Sequence, residues 1–586
     1  MKNLKLVACS AFIGLFPVIL ASCQNGGDTG SHPINAVLTG IFVSKPATKL
    51  LYQLNEAVDY SGLEVKASWS TGRPSVVPFK DLTFTGFDSS TVGKKSITIT
   101  YTYKEVTKST SYVVSVVSSE DTGKDVKLDF YGFNDTHGNV LDSSAGAGIT
   151  KVSTFIKQKS ENQNSVLISS GDMWQGSLES NSNRGELMMR WMDSLNFASM
   201  TIGNHEFDWG QSIIERNASN FKTPILGINI LDKDTKERVP YAKASTIIER
   251  GDARIGIIGA IGNCYNSISY SQVTDVTFAL DTPTGEDELS KLVKAESTRL
   301  REEEDCDFIV FSLHGDTSDA STYYNVELSA QGYVDLVFEG HTHTETHYID
   351  EGGVHHFQSS AGGSLSINHI QIDLNTGSDS YEVTFDERKD VYWLNSNSVY
   401  SLKEDETASS ILNEYNYDEY YVPIGHNSKN RSSTEMRQLV ASLYLNYGQR
   451  KWMEYANEIA FGGGFVSIRG EGYLPAGDVT YAQLNVLFPF DNNILLTKIY
   501  GNTMKSIYFN STNKNYFMAY SEYGQQLKFY QDQVVDNELY YVVMDTYTFD
   551  YIYQNGHNPV KVDVYQEGGY YARDLLTDYI RDGGLA

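Results

Sequence analysis

Cysteine is scarce in this chain, with four among 586 residues. So few cannot staple a scaffold, which excludes a disulfide-dense fold. Proline is scarce too, at 12 residues, and 48 glycines are an ordinary number, so collagenous and proline-rich architectures are excluded. Positive charge is in deficit: 46 Lys and Arg face 74 Asp and Glu, for a formal charge of −28. A field of that sign repels phosphate backbones and argues against a nucleic-acid polymer as partner. It also repels small anions unless a local cation inverts the potential. After Leu20 no apolar run approaches the roughly 18 residues that a membrane helix needs. What is plentiful is hydrophobic residues at 40% and tyrosine at 40 copies. The first excludes a disordered chain, and the second suits β-rich surfaces and ring stacking. At roughly 100–200 residues per domain, the length predicts about three or four domains.

The start of the chain reads as an export signal. Lys2 and Lys5 precede an apolar stretch over 6–20, broken by Pro17. This stretch is too short to span a bilayer but has the length of a signal-peptide core. It ends in Leu20-Ala21-Ser22-Cys23, which resembles the lipobox of bacterial lipoproteins. The resemblance implies a signal peptide over 1–22, lipidation of Cys23, and an extracytoplasmic, cell-surface protein whose membrane contact is that lipid anchor. A plain secretory signal with an incidental cysteine is the alternative. Residues 23–35 then form a flexible polar tether. Loss of 1–22 removes two lysines and no acid, moving the charge to −30. Cys264 and Cys306 either pair or remain two buried thiols.

Residues 36–118 show short alternating strands separated by Gly, Pro, Asp and Ser, the pattern of a β-sandwich. Asp59-Tyr60-Ser61-Gly62-Leu63 followed by a strand over 95–103 resembles bacterial Ig-like domains. Nothing in this stretch carries chemistry, so a spacer or adhesion module is expected. A polar stretch over 118–124 precedes strand–loop–helix alternation through about 375. Helices are expected over 149–158, 186–195 and, as a solvated one, 286–304. Residues 376–430 are expected to bridge to a second α/β region over 431–586.

The chemistry lies in five motifs, each at the end of an apolar strand. They are Asn134-Asp135-Thr136-His137-Gly138, Gly171-Asp172, Gly203-Asn204-His205-Glu206-Phe207-Asp208, His314-Gly315-Asp316 and Gly340-His341-Thr342-His343. The donors are Asp, His and Asn with no thiolate, a set that suits Zn, Mn, Co, Fe or Mg. Residues i and i+2 of an extended segment face one side, so Asp135 with His137, and His341 with His343, can each reach one ion. A glycine beside each donor lets backbone approach closely. A lone histidine such as His369 or His426 reads as core or surface.

Together these motifs resemble the calcineurin-like metallophosphoesterases, and within them the 5'-nucleotidase / UDP-sugar hydrolase / 2',3'-cyclic phosphodiesterase family, over 126–586. The resemblance implies a metallophosphoesterase α/β/β/α sandwich over 126–375 with two divalent ions. Asp135, His137 and His343 would hold the first, Asn204, His314 and His341 the second, and Asp172 would bridge them. His205 and Asp208 would be the catalytic pair, with Asp208 orienting the imidazole while a hydroxide held by the ions attacks phosphorus in line.

The family's C-terminal domain grips the nucleoside. Here Phe461-Gly462-Gly463-Gly464, Ser467-Ile468-Arg469 and Phe488-Pro489-Phe490 match its segments in order. The resemblance places Phe490, Arg469, Gly463, Gly464 and Arg431 on the substrate. Phe461 stands where an Asn is usual, and the late Gly-Gly-Asp-Gly segment is replaced by a stretch in which Tyr551 or Tyr553 can stack. The expectation is a surface-anchored 5'-nucleotidase-like phosphohydrolase. The alternatives are a 2',3'-cyclic phosphodiesterase or general phosphomonoesterase, and a non-catalytic binding protein. The substrate is then a nucleotide or other small phosphoester.

Overall fold

The computed structural model describes residues 36–586 except 46, 72–73, 119–122, 162, 282–287, 316–332, 351–352, 361–362, 378–379, 457, 466–472, 509–515, 520–533 and 565–570. The signal peptide, the tether with Cys23, Asp316 and Arg469 therefore lie outside the described residues. No helix among the described residues is long and apolar enough to cross a membrane.

The N-terminal domain is a β-sandwich. One sheet joins Leu38–Lys45, Glu64–Trp69 and Ser75–Val76. The other runs Leu51–Gln53, Val106–Val117, Gly93–Tyr103, Leu82–Thr85. Alternate residues face inward, so Val65, Ala67, Ile97, Ile99, Tyr112 and Val114 are buried between the sheets. The sandwich is docked on its neighbour: the Tyr333 hydroxyl donates to Ser111 O (2.6 Å).

The central domain stacks two mixed sheets. The first runs Ile225–Leu226, Ser199–Thr201, Ser165–Ser169, Asp125–Phe133, Ser366–Asn375, Ser380–Thr384. The second runs Ser245–Arg250, Ala253–Ile261, Phe308–His314, Leu336–Glu339, His355–Gln358, Thr346–Ile349. Strand periodicity builds both layers of core at once. Val126, Leu128 and Phe130 meet Ile255, Ile257, Phe308 and Val310 between the sheets. The intervening Tyr131 and Phe133 face helices Ile149–Lys159 and Glu186–Ser194. On the far side Ile309, Phe311 and Leu313 meet Leu289, Val293 and Leu300 of helix Glu288–Glu302. This is the four-layered α/β/β/α sandwich. It corrects the expectation of a solvated helix at 286–304: Leu289, Val293 and Leu300 recur at near-helical spacing and are fully buried, and the surrounding charges mask that stripe.

The bridge is shorter than 376–430. Ser380–Thr384 and Val391–Trp393 both pair with Ser366–Asn375, and Ala408 and Ile411 of helix Glu406–Asn413 join the central core. Strand Pro423–Asn427 already pairs with Gly477–Thr480, so the crossover falls just before Pro423.

The C-terminal domain carries a five-stranded sheet ordered Tyr516–Ala519, Ile459–Phe465, Leu539–Asp545, Ile494–Tyr500, Val560–Val564. Helix Ser433–Lys451 packs on it, started by a capping box between Ser432 and Glu435. Gly462 makes this packing possible, since a Cβ there would lie 2.3 Å from Leu445 N.

Candidate metal centre

Strands Asp125–Phe133, Ser165–Ser169 and Ser199–Thr201 run parallel in one sheet. Strands Ala253–Ile261, Phe308–His314 and Leu336–Glu339 do so in the other. Their carboxyl ends open on one edge, where a parallel sheet presents its loops and ligands. The described residues of all five motifs sit there. Asp135, Asp172, Asn204 and His314 are buried, and His343 is 41% exposed at the rim.

The donors converge tightly. The ligand atoms of Asp135, His137 and His343 lie within 4.8 Å of one another, as do those of Asp135, Asp172 and His314, and those of His137, Asp172 and His205. Asn204 Oδ1 is 3.1 Å from His314 Nε2 and 2.9 Å from His341 Nδ1. Backbone carbonyls set two of the imidazoles. His137 Nδ1–H donates to Gln175 O (2.9 Å) and His314 Nδ1–H to Ser170 O (2.6 Å), so each ring turns its Nε2 toward the pocket.

The loops bear strain to do this. Asp135 (φ 50°), His137 (46°), Asp172 (55°), His341 (83°) and His343 (53°) all adopt left-handed backbone, which side-chain-bearing residues avoid at a cost on the order of 1–3 kcal/mol each. Gly203 lets the loops touch, for a Cβ there would lie 2.3 Å from Asp172 Oδ1.

The residues present fit divalent cations. Asp135 Oδ1 is buried and accepts no well-formed hydrogen bond, while His137 Nε2 and His343 Nε2 face each other at 3.1 Å. Burial opposes a charged imidazole at His314, yet Asp172 and Asp135 raise it to about 10. The pocket therefore demands positive charge. Burial also works against an ionised Asp172, but His314 and His205 hold it well below the usual carboxylate range.

His205 and Asp208 stand beside this cluster. His205 N donates to Asp172 Oδ1 (2.9 Å), and His205 Nδ1–H donates to Asp208 Oδ2 (2.8 Å). The His205 ring lies edge-on to His137, centroids 5.1 Å apart. From the C-terminal domain Phe490 lies flat against His205 at 5.9 Å and 21°. Its neighbour's carbonyl, Pro489 O, accepts from Asn181 Nδ2 (3.2 Å).

The remaining substrate candidates lie elsewhere. Arg431 Nε donates to Asn427 Oδ1 (2.9 Å) inside the C-terminal domain. Gly463 and Gly464 pair with Met518 and Phe517 within the sheet. Tyr551 lines an open cleft of ≈ 740 Å³ between residues 265–278 and helix Thr546–Gln554. Tyr270 and Tyr553 meet across its two walls at 4.6 Å, and Ser271 Oγ donates to Asp550 Oδ2 (2.8 Å).

Two functional residues escaped sequence reasoning. Glu206 is fully buried, and its carboxylate accepts backbone N–H groups from Asp172, Met173, Trp174 and Gly203. It fastens the turn that carries Asp172 to the turn that carries Asn204. Burial and the Asp172 charge push its acidity up to about 7. Its place between His205 and Asp208 was the available signal. Arg573 is buried and bonds Asp491 Oδ1 (2.8 Å), Phe488 O (2.8 Å) and Asn485 Oδ1 (3.0 Å), which pins the segment bearing Phe490. Nothing in its local sequence announced this. Cys264 and Cys306 are both buried and unbridged.

Comparison with known proteins agrees with this architecture. Residues 128–345 match the calcineurin-like phosphoesterase family and residues 46–116 the bacterial Ig-like domain (group 3), so the central domain is a calcineurin-like phosphoesterase domain and the N-terminal one is Ig-like. Among curated relatives, an apyrase of Tabanus yao is 34% identical over 195 residues, covering 33% of this chain and 32% of its own length. Protein UshA of Escherichia coli is 30% identical over 200 residues, covering 33% and 34%. A snake venom 5'-nucleotidase of Naja atra is 32% identical over 146 residues, covering 24% and 25%. The chain thus spans a quarter to a third of the length of these relatives. Among solved structures, a putative 5'-nucleotidase of Staphylococcus aureus superposes with a TM-score of 0.58 at 16% identity, covering 78% of this chain and 98% of its own. A 5'-nucleotidase precursor of Thermus thermophilus does so at 0.56 and 16%, covering 78% and 96%. The fold they share includes the C-terminal domain.

Proposed function

We propose that this protein is an exported phosphohydrolase that removes phosphate from nucleotides with two divalent ions and is held at the cell surface by lipid on Cys23. The observation that carries the reading is the convergence of seven donor side chains from five strand ends, with the His205–Asp208 pair beside them. The relatives' names, apyrase and 5'-nucleotidase, support the substrate class.

Asp135, His137 and His343 would hold one ion, Asn204, His314 and His341 the other, with Asp172 between them. Such ions supply charge neutralisation at phosphoryl oxygens and acidify an attacking water. The chain's own residues do the rest. Gln175 O and Ser170 O keep His137 and His314 in the tautomers that face the pocket. Asp208 accepts from His205 Nδ1–H and so aims Nε2 away from itself, where a protonated Nε2–H could donate to a phosphoryl oxygen or protonate the leaving alkoxide. Phe490 offers a ring face next to His205 for the nucleoside, while Tyr551 lines the separate cleft beside helix Thr546–Gln554. On a net −28 chain the two ions would supply the local positive charge that draws phosphate to this pocket. The altered segment around Tyr551 favours one second reading, a cyclic phosphodiesterase or general phosphomonoesterase with relaxed base choice.

The test is phosphate release by the purified protein from AMP, UMP, UDP-glucose, 2',3'-cyclic AMP and p-nitrophenyl phosphate. EDTA and Asp172→Ala should each abolish turnover, and release indifferent to both refutes the reading. Phe490→Ala should raise KM for AMP about 5- to 150-fold, the equivalent of about 1–3 kcal/mol of stacking.

A further inference from the structure

Cys264 stands apart from an ordinary buried thiol. It follows strand Ala253–Ile261 on the short helical turn Asn263–Ser267, and in the parallel pairing Ile261 is opposite His314. The turn therefore emerges on the same sheet edge as the metal-ligand motifs. Cys264 Sγ, one ring nitrogen of His314 and one of His341 all lie within 4.8 Å of one another. Donors around a single ion, each at about 2.0–2.3 Å, lie only slightly closer together than that. The thiol S–H donates to His314 O (3.0 Å), the carbonyl of a metal-ligand residue. Cys306 offers the contrast: it is buried in the apolar cluster of Leu300, Ile309 and Phe311 behind the second sheet.

We propose that Cys264 supplies a thiolate donor to the ion position defined by Asn204, His314 and His341, and thereby biases that position toward thiophilic divalent ions. The inference rests on the metal-centre reading above. The other donors are amide, imidazole and carboxylate, which accept hard and borderline ions alike. A sulfur donor shifts preference toward Zn²⁺ and Co²⁺ and away from Mn²⁺ and Mg²⁺. On ion binding the thiol would release its proton to solvent and give up its S–H bond to His314 O, and sulfur would join Asn204, His314, His341 and the shared Asp172 as a fifth protein donor. Nothing is oxidised or reduced.

Cobalt(II) tests this without reference to turnover. The full-length protein is stripped with chelator and titrated with Co²⁺, and its absorption is recorded. We expect visible d–d bands from the imidazole and carboxylate donors together with a near-ultraviolet thiolate-to-cobalt charge-transfer band. Cys264→Ser should keep the d–d bands and lose the charge-transfer band, and Cys306→Ser should keep both. In competition dialysis, Cys264→Ser should lose Zn²⁺ retention by on the order of tenfold or more, with Mn²⁺ retention unchanged. Wild-type d–d bands without the charge-transfer band, or an unaltered Zn²⁺ to Mn²⁺ preference in Cys264→Ser, would overturn the role of Cys264 while leaving the metal centre intact. Absence of any Co²⁺ spectrum in wild type would overturn both.

Discussion

Glu206→Gln probes the architecture of the centre with the smallest possible change, one oxygen replaced by NH₂. The two carboxylate oxygens accept four backbone N–H groups: Oε2 from Asp172 (2.9 Å) and Gly203 (2.8 Å), Oε1 from Met173 (2.9 Å) and Trp174 (3.3 Å). Glutamine presents only one oxygen, so two of these donors come to face an amide NH₂. At about 1–3 kcal/mol per orphaned buried donor, the loss is roughly 2–6 kcal/mol. For a domain of this size, at about 2–4 °C per kcal/mol, that lowers Tm by about 4–24 °C. The assay is thermal unfolding of the metal-loaded protein, paired with elemental analysis. Because Asp172 rides on the turn that Glu206 fastens, metal retention should also fall roughly 10- to 100-fold. In metal-free protein the deficit should widen as pH falls from about 7 toward 4.5, because Glu206, raised from 4.5 to about 7, binds its proton more tightly when folded whereas glutamine does not titrate. A variant that unfolds within about 1 °C of wild type and keeps its full metal content would refute this account of the turn.

Two further outcomes are expected. Asp208→Asn should lower kcat by roughly 10²- to 10⁴-fold with KM little changed, because the 2.8 Å bond that aims His205 loses its charge; wild-type kcat would remove His205–Asp208 from the chemistry. In EDTA, Tm should fall as pH rises from 6.5 to 10. Glu206, raised from 4.5 to about 7, and His314, raised from 6.5 to about 10 against the opposing effect of burial, both bind protons more tightly when folded. Their contribution is therefore present at low pH and is lost through those values. His341, lowered by burial and by His314, acts in the opposite direction below pH 6.5. Divalent ions should flatten the profile, and a Tm that rises across that range in EDTA would contradict the assignment.

The sequence was most legible where strand, glycine and donor coincide. Asp135, Asp172, Asn204, His314 and His341 each follow or end an apolar strand, and both the sheet edge and the pocket could be anticipated from that repetition. Short elements within 376–430 were obscured because Asn, Ser, Asp and Tyr dominate them; the pairing of Ser380–Thr384 with Ser366–Asn375 depends on a neighbour strand, which local composition does not encode. Helix Glu288–Glu302 hid its apolar stripe among charges. Glu206 acts mainly through the backbone N–H groups of residues 172–174 and Arg573 through Asp491, Asn485 and the Phe488 carbonyl, so their types hinted at exposure while tertiary partners allowed burial. Arg431, Gly463 and Gly464 were placed by likeness to nucleoside-gripping segments, and their contacts here are internal to the C-terminal domain.

If the centre acts on phosphoesters as proposed, the Phe490 ring resting on His205 would make entry selective without any repulsive group. An incoming phosphoester would have to slide between them or lift the ring, forfeiting a contact worth about 0.5–1.5 kcal/mol. A guest with its own flat heterocycle recovers that loss by stacking where the imidazole lay. Bare orthophosphate has nothing to offer in exchange, so the leaving product should rebind poorly and turnover should resist being choked by its own output.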